Sequence, residues 1–155
     1  MSIDDLVQAV QSLNSEDAFR PRLTIEQWRA VAPYLVQGDL RTGDLLVKQG
    51  DADRTLYLLG QGTLQVYVNG GLPGSNRIAI LRAGAVVGEP GLFSEAPRSA
   101  NVEAMTPCTV WGLRSARLDE LAQRMPAAAY EVLRAAGAVM AVRMRANLTK
   151  QIPFT

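Results

Sequence analysis

Histidine is absent from this 155-residue chain, and cysteine occurs once, at Cys108. The usual general base at neutral pH and the commonest metal ligand are therefore both missing. A single thiol excludes an intrachain disulfide and a thiol cluster for metal, and Cys108 suits a small buried apolar position better than a reactive one. The acidic pair Asp119-Glu120 falls on an expected exposed helix and reads as solvated charge rather than acid/base machinery. No catalytic residue, metal or cofactor is expected, and the chain is not expected to be an enzyme. Excess charge of one sign is lacking too: 16 Lys and Arg face 15 Asp and Glu, so nothing favours a nucleic acid or an anionic membrane as partner. No apolar run reaches the roughly 18 residues of a membrane span, and the acidic opening Met1-Ser2-Ile3-Asp4-Asp5 is unlike a secretory leader. A cytoplasmic protein of one-domain size is expected.

Three regions follow from the changes of period. Residues 1–33 read as helical: Ile3, Leu6, Val7 and Val10 keep one face, with Ser2 placed as N-cap. Thr24 and Gln27 form a capping box before Trp28, Val31 and Ala32, and Pro33 is expected to stop that helix. Residues 34–114 read as strands, with 45–48, 55–59, 63–68, 77–81, 101–105 and 108–113 rich in branched and aromatic residues. Turns are expected at Gly43-Asp44, Gly50-Asp51, Gly60-Gln61-Gly62, Asn69-Gly70-Gly71 and Pro73-Gly74-Ser75-Asn76. Residues 115–155 return to helix, with Ser115 as a cap and Pro126 opening a long segment from Ala127 to about Lys150 that ends before Pro153. The fold class is α+β: an antiparallel, jelly-roll-like β-roll flanked by N-terminal helices and a long C-terminal helix.

The chemistry concentrates in 88–100, where Gly88-Glu89-Pro90-Gly91-Leu92 is followed by Pro97-Arg98-Ser99-Ala100. Gly88 and Gly91 let backbone approach a ligand, Pro90 opens a short helix, and the orphan N–H groups of such an end favour an anion. Arg98 offers a forked cation and Ser99 a further donor. Glu89 repels an anion unless it faces a different, hydroxyl-bearing part of the same ligand. Singly, an Arg, a Glu or a glycine beside proline is an ordinary surface or turn residue; it is their spacing that carries the argument.

Those residues resemble the phosphate-binding cassette of the cyclic nucleotide-binding domain family. Gly43-Asp44-Leu45-Leu46, Gln49-Gly50-Asp51, Leu56-Tyr57-Leu58 and Gly62-Thr63-Leu64-Gln65-Val66 resemble the first half of that family's roll. The likeness runs from about Tyr34 to about Arg145 and is nearest to the catabolite-activator sensor domain. It implies that Gly88, Gly91 and Ser99 donate to a cyclic phosphate, that Arg98 pairs with it, and that Glu89 accepts from the ribose hydroxyl. Pro90 departs from the apolar residue usual after Gly-Glu. Catabolite activators carry a DNA-reading module after the long helix, and with the sequence ending at Thr155 none is expected here. Ser99 points to cyclic AMP rather than cyclic GMP, with a cyclic dinucleotide left open.

Along the long helix, Leu133, Gly137, Met140, Met144 and Leu148 make one apolar stripe and Val132, Ala136, Val139, Val142 and Ala146 another. Either the domain itself buries both stripes or a second copy covers one, as a homodimer through Ala127–Lys150. Arg134, Arg145 and Asn147 read as solvated, although the family's helix can close over the base. The expected function is a stand-alone cyclic nucleotide receptor signalling through movement of this helix to an effector protein; the alternative is an interaction adaptor of the same fold.

Overall fold

The computed structural model describes residues 1–70 and 76–149. Gly71 of the turn expected at Asn69-Gly70-Gly71, Pro73-Gly74-Ser75 of the turn expected next, and the end of the long helix beyond 149 lie outside the described residues. Helix α1 (Ile3–Ser12) starts as expected: the Ser2 hydroxyl accepts from the Asp5 N–H, and the Asp5 carboxylate accepts from the Ser2 N–H. Its Leu6, Val7 and Val10 are buried. Helix α2 (Ile25–Val31) is closed by the same reciprocal arrangement between Thr24 and Gln27. Pro33 does not end it abruptly, because Ala32–Tyr34 continue as one 3-10 turn in whose first positions a missing N–H is harmless.

Eight strands follow: β1 (Val36–Leu40), β2 (Leu45–Val47), β3 (Thr55–Gln61), β4 (Thr63–Tyr67), β5 (Arg77–Arg82), β6 (Val86–Val87), β7 (Asn101–Ala104) and β8 (Cys108–Arg114). They form two antiparallel four-stranded sheets, ordered β1-β8-β3-β6 and β2-β7-β4-β5. Sequence reasoning passed over β1 and β6. The first is an edge strand, mostly exposed and containing Gly38 and Asp39, and the second is two residues long. The turn expected at Gly60-Gln61-Gly62 contracts to Gly62, since Gly60 and Gln61 extend β3.

Strand β3 is buried on both faces. Leu56 and Leu58 face the helices with Trp28, Trp111 and Leu113, while Leu59 joins Leu64, Val102 and Val110 between the sheets. Alternate residues of a strand point to opposite sides, so the roll carries two cores on one shared sheet. Leu56 and Leu59 are each 1% exposed, and burying each contributes about 1.5–3 kcal/mol. Cys108 lies in the inter-sheet core, as expected.

Helix α4 (Ser115–Arg124) differs in its start: Ser115 is already helical, and Arg114 holds the cap position without a side-chain hydrogen bond. Because β8 runs straight into the helix, the Ser115 hydroxyl sits past the position from which it would cap. Helix α5 (Pro126–Thr149) opens on proline as expected. Its Val132, Ala136 and Val139 pack into the helical core with Ala128, Ala129 and Ala135, whereas Met144 and Leu148 are 54% and 52% exposed. Cover therefore changes along the helix rather than between the stripes: both are buried or half-buried as far as Val142, and Met144, Ala146 and Leu148 beyond it are exposed. Among the described residues no helix is long and apolar enough to cross a membrane.

Candidate functional site

Strand β6 delivers the chain to Gly88, whose φ of 83° lies in the region that suits glycine. A Cβ there would come within 2.6 Å of both Arg98 Nη1 and the Thr55 carbonyl oxygen. Gly88 thus makes room for the guanidinium as well as turning the chain. Glu89 holds the cap position of a four-residue helix, α3 (Pro90–Phe93), with Pro90 opening it. Inside this turn the Gly91 N–H donates to the Gly88 carbonyl and the Leu92 N–H to that of Glu89, both at 3.1 Å.

Arg98 is 8% exposed. Its Nη1 donates to the Gly88 carbonyl at 3.2 Å, and its Nη2 to the Thr55 carbonyl at 2.6 Å and to Asp53 Oδ2 at 3.2 Å. Its backbone is clamped as well: the Arg98 N–H donates to Asp51 and its carbonyl accepts from Gly50. The buried Nε has no hydrogen-bond partner. A buried cationic donor left unsatisfied is costly, and this one belongs to a side chain that lines the cavity described below. Asp53 is itself organised, accepting from the Thr55 N–H and hydroxyl on Oδ1 and from the Tyr57 hydroxyl on Oδ2. Burial opposes its charge, but the Thr55 hydrogen bonds and the nearby Arg98 outweigh burial and hold its carboxyl below the ordinary range. Burial, and then the Asp53 charge, push the Tyr57 phenol up.

Glu89 is 5% exposed, too deep for an unpaired carboxylate. Its cation comes from α5: Arg143 Nη1 reaches Glu89 Oε1 at 2.9 Å. The same guanidinium donates from Nε to Asp17 Oδ2 at 2.9 Å. Asp17 lies in the connection between α1 and α2, and despite partial burial the Arg143 and Ser15 hydrogen bonds hold its carboxyl below the usual value. One arginine therefore ties the cassette, the long helix and the N-terminal connection together.

Between these corners lies a cavity of about 460 Å³, lined by Val47, Val66, Leu81, Val102 and the cassette, with Arg143, Ala146 and Asn147 on the α5 side. Small-molecule sites are commonly apolar clefts with a few convergent polar groups. The structure brings Gly88, Glu89, Gly91, Arg98 and Ser99 to this one cavity. Ser99 is exposed and makes no hydrogen bond among the described residues. Asn147, expected to be solvated, borders the cavity, and Arg134 pairs with Glu131 and reaches the Arg20 carbonyl. Among the described residues no cluster of three or more metal-ligating side chains is placed to hold an ion. Arg143, Asp53 and Asp17 were missed from sequence. The only local signal for Arg143 is a charge beside Val142 in an otherwise apolar stripe, while Asp53 and Asp17 sit in polar loops where acids are unremarkable.

The sequence profile of the cyclic nucleotide-binding domain matches residues 38–125. A cAMP-dependent protein kinase regulatory subunit of Debaryomyces hansenii is 31% identical over 109 residues, 69% of this chain and 23% of that protein. A cGMP-dependent protein kinase of Plasmodium berghei is 29% identical over 85 residues, 55% of this chain and 9% of that protein. The crystal structure of the Thermus thermophilus catabolite activator protein superposes with a TM-score of 0.70 at 26% identity, covering 84% of this chain and 60% of that one. The chain thus spans less than a quarter of the two kinase-related proteins.

Proposed function

Because the chain belongs to the cyclic nucleotide-binding domain family, we propose that it is a non-enzymatic, cytoplasmic receptor for cyclic AMP that signals through α5. The observation that carries this reading is Arg98, a nearly buried guanidinium side chain that lines an apolar cavity beside the Gly88–Gly91 turn. A single phosphate charge placed there would pair with that cation. Gly88, Gly91 and Ser99 would flank that phosphate. The Gly91 N–H already serves the α3 turn, and the space left by its missing side chain is bordered by Arg54, Asp53 and Arg98. Glu89 would accept from the ribose hydroxyl, and Val47, Val66, Leu81 and Val102 would shelter the sugar and base.

Cyclic AMP is preferred over cyclic GMP on Ser99, and a cavity of about 460 Å³ suits one nucleotide better than a cyclic dinucleotide. Ligand binding shifts α5 only if affinity differs between two positions of that helix. Its open apolar residues, Tyr130, Met144 and Leu148 with Phe93 beside them, favour a second reading in which this face docks an effector protein or a second copy. Sedimentation of the free and liganded protein distinguishes these two. The primary test is calorimetric titration of ligand-stripped protein with cyclic AMP and cyclic GMP in parallel, competed with a cyclic dinucleotide and repeated on Arg98→Ala. Saturable binding of cyclic AMP, lost in that variant, is expected; heat from neither mononucleotide refutes the receptor reading.

A further inference from the structure

A second cavity, of about 650 Å³, is bordered by β1, β3 and β8 of one sheet and by Leu46 of β2 in the other, and it shares no lining residue with the nucleotide cavity. Its walls are apolar at Val36, Leu40, Leu46 and Val110 and aromatic at Tyr57. A Cβ at Gly112 would lie 3.3 Å from Tyr57 Cε1, so the missing side chain lets that ring lie against β8. The charges around the cavity do not balance. Asp53 is already held by Thr55, Tyr57 and Arg98. Asp39 turns its carboxylate to the Thr109 hydroxyl, on the face of β8 opposite to Val110 and Gly112. Against these stand two arginines that line the cavity. Arg54 Nη1 is 3.8 Å from Glu95, an almost fully exposed carboxylate. The exposed Arg114 side chain makes no hydrogen bond or ion pair among the described residues.

We propose that this cavity is a second binding site, for a small amphipathic carboxylate whose apolar body lies on Tyr57 and Val110 and whose charge meets Arg114 and Arg54. Guanidinium forks match a carboxylate, and apolar walls with a few convergent polar groups suit a small molecule. The site reaches the cassette through one hydrogen bond, in which Arg54 Nε donates to the Gly91 carbonyl at 3.1 Å. A carboxylate that draws the Arg54 guanidinium toward itself competes with that bond, so occupancy is felt at Gly91.

The test is backbone-amide NMR of the full chain titrated with naphthoate and, in parallel, with naphthamide, its uncharged twin of the same shape. Saturable shifts are expected at the Tyr57, Gly112 and Arg114 amides, with naphthamide bound about fivefold or more weakly for want of the charge-assisted hydrogen bonds. That preference collapses in Arg114→Gln. Gly38→Phe plugs the cavity: a Cβ there meets only Val110 Cγ2, at 4.0 Å, so the added ring enters without straining the edge strand, and binding is expected to be lost. The Gly91 amide shifts with the same affinity as Arg114 in the parent and stays still in Gly38→Phe, which separates coupling from entry of the anion into the nucleotide cavity. Absence of saturable shifts, equal affinity for naphthoate and naphthamide, or shifts that persist in Gly38→Phe each overturn the site. A Gly91 amide that stays still while that of Arg114 saturates overturns the link to the cassette. Should a thermal melt show Gly38→Phe unfolded, an unchanged preference for naphthoate in Arg114→Gln overturns the site instead. Every readout is independent of nucleotide, so failure of the receptor reading is a separate result.

Discussion

Arg98 is held by Gly88, Asp53 and Thr55, all within the β-roll, whereas Glu89, nine residues earlier, is held by Arg143 from α5, which is held in turn by Asp17 from the α1–α2 connection. The first corner is built within the roll alone, by Thr55 in β3, Asp53 just before it and Gly88 just after β6. The second corner exists only when three separate parts of the chain meet. On the receptor reading proposed above, a nucleotide touching both corners would meet its phosphate contacts within the roll and its sugar contacts where α5 docks. Signalling through α5 would require ligand contacts that differ between two positions of that helix.

The contrast breaks most visibly at Arg98. Arg98→Ala is expected to cost about 2–5 kcal/mol of binding, roughly 30-fold to several thousand-fold in Kd, as for a desolvated charge contact. Titration of the variant checks this, and an affinity within about threefold of the parent would show that the roll corner is not the phosphate site. Gly88→Ala strikes the same corner through the backbone. With φ at 83° and a new Cβ within 2.6 Å of Arg98 Nη1 and Thr55 O, an alanine is strained by about 1–2 kcal/mol and displaces the guanidinium. A melting temperature lower by several degrees is expected, at about 2–4 °C per kcal/mol for a domain of this size, together with weaker binding of ribo- and 2′-deoxynucleotides alike. Loss confined to the ribonucleotide would instead place the damage at the Glu89 corner.

The same division separates what is legible in the sequence from what only the fold brings together. The cassette was legible because its residues are local: Gly88, Glu89, Gly91, Arg98 and Ser99 lie within a dozen positions, and turn glycines, a helix-opening proline and a charged fork each leave a mark on sequence. The caps at Ser2 and Thr24 and the start of α5 at Pro126 were legible for the same reason. Strand β1 was not, since an exposed edge with Gly38 has no period of its own and is defined by pairing with β8, more than sixty residues away. Arg143 was not, since its meaning lies in Asp17 and Glu89, which sequence separates by 126 and 54 positions. The alternation that marks a strand says which residues are buried, but not which distant charge a buried carboxylate will meet.

The smallest expected effect tests whether Asp17 belongs to the Glu89 corner or merely lies beside it. Asp17 is about a third exposed, and its contact with Arg143 resembles a surface pair, worth about 0–1 kcal/mol. Asp17→Asn leaves Arg143 on Glu89, so nucleotide affinity is expected to fall by no more than about fivefold, far less than for Arg98→Ala. The pH dependence carries more information than the magnitude. The folded-state pKa of Asp17 lies below the ordinary value of 3.8, so its charge stabilises the fold above that value and the contribution is lost as pH falls through the depressed one. Melting temperatures of the ligand-free parent and Asp17→Asn proteins should therefore differ slightly at neutral pH and converge in acid, where the parent carboxyl is protonated too. A gap that persists well below 3.8 would assign the effect to packing of the α1–α2 connection, and the second arm of the Arg143 fork would then add nothing to the ribose corner.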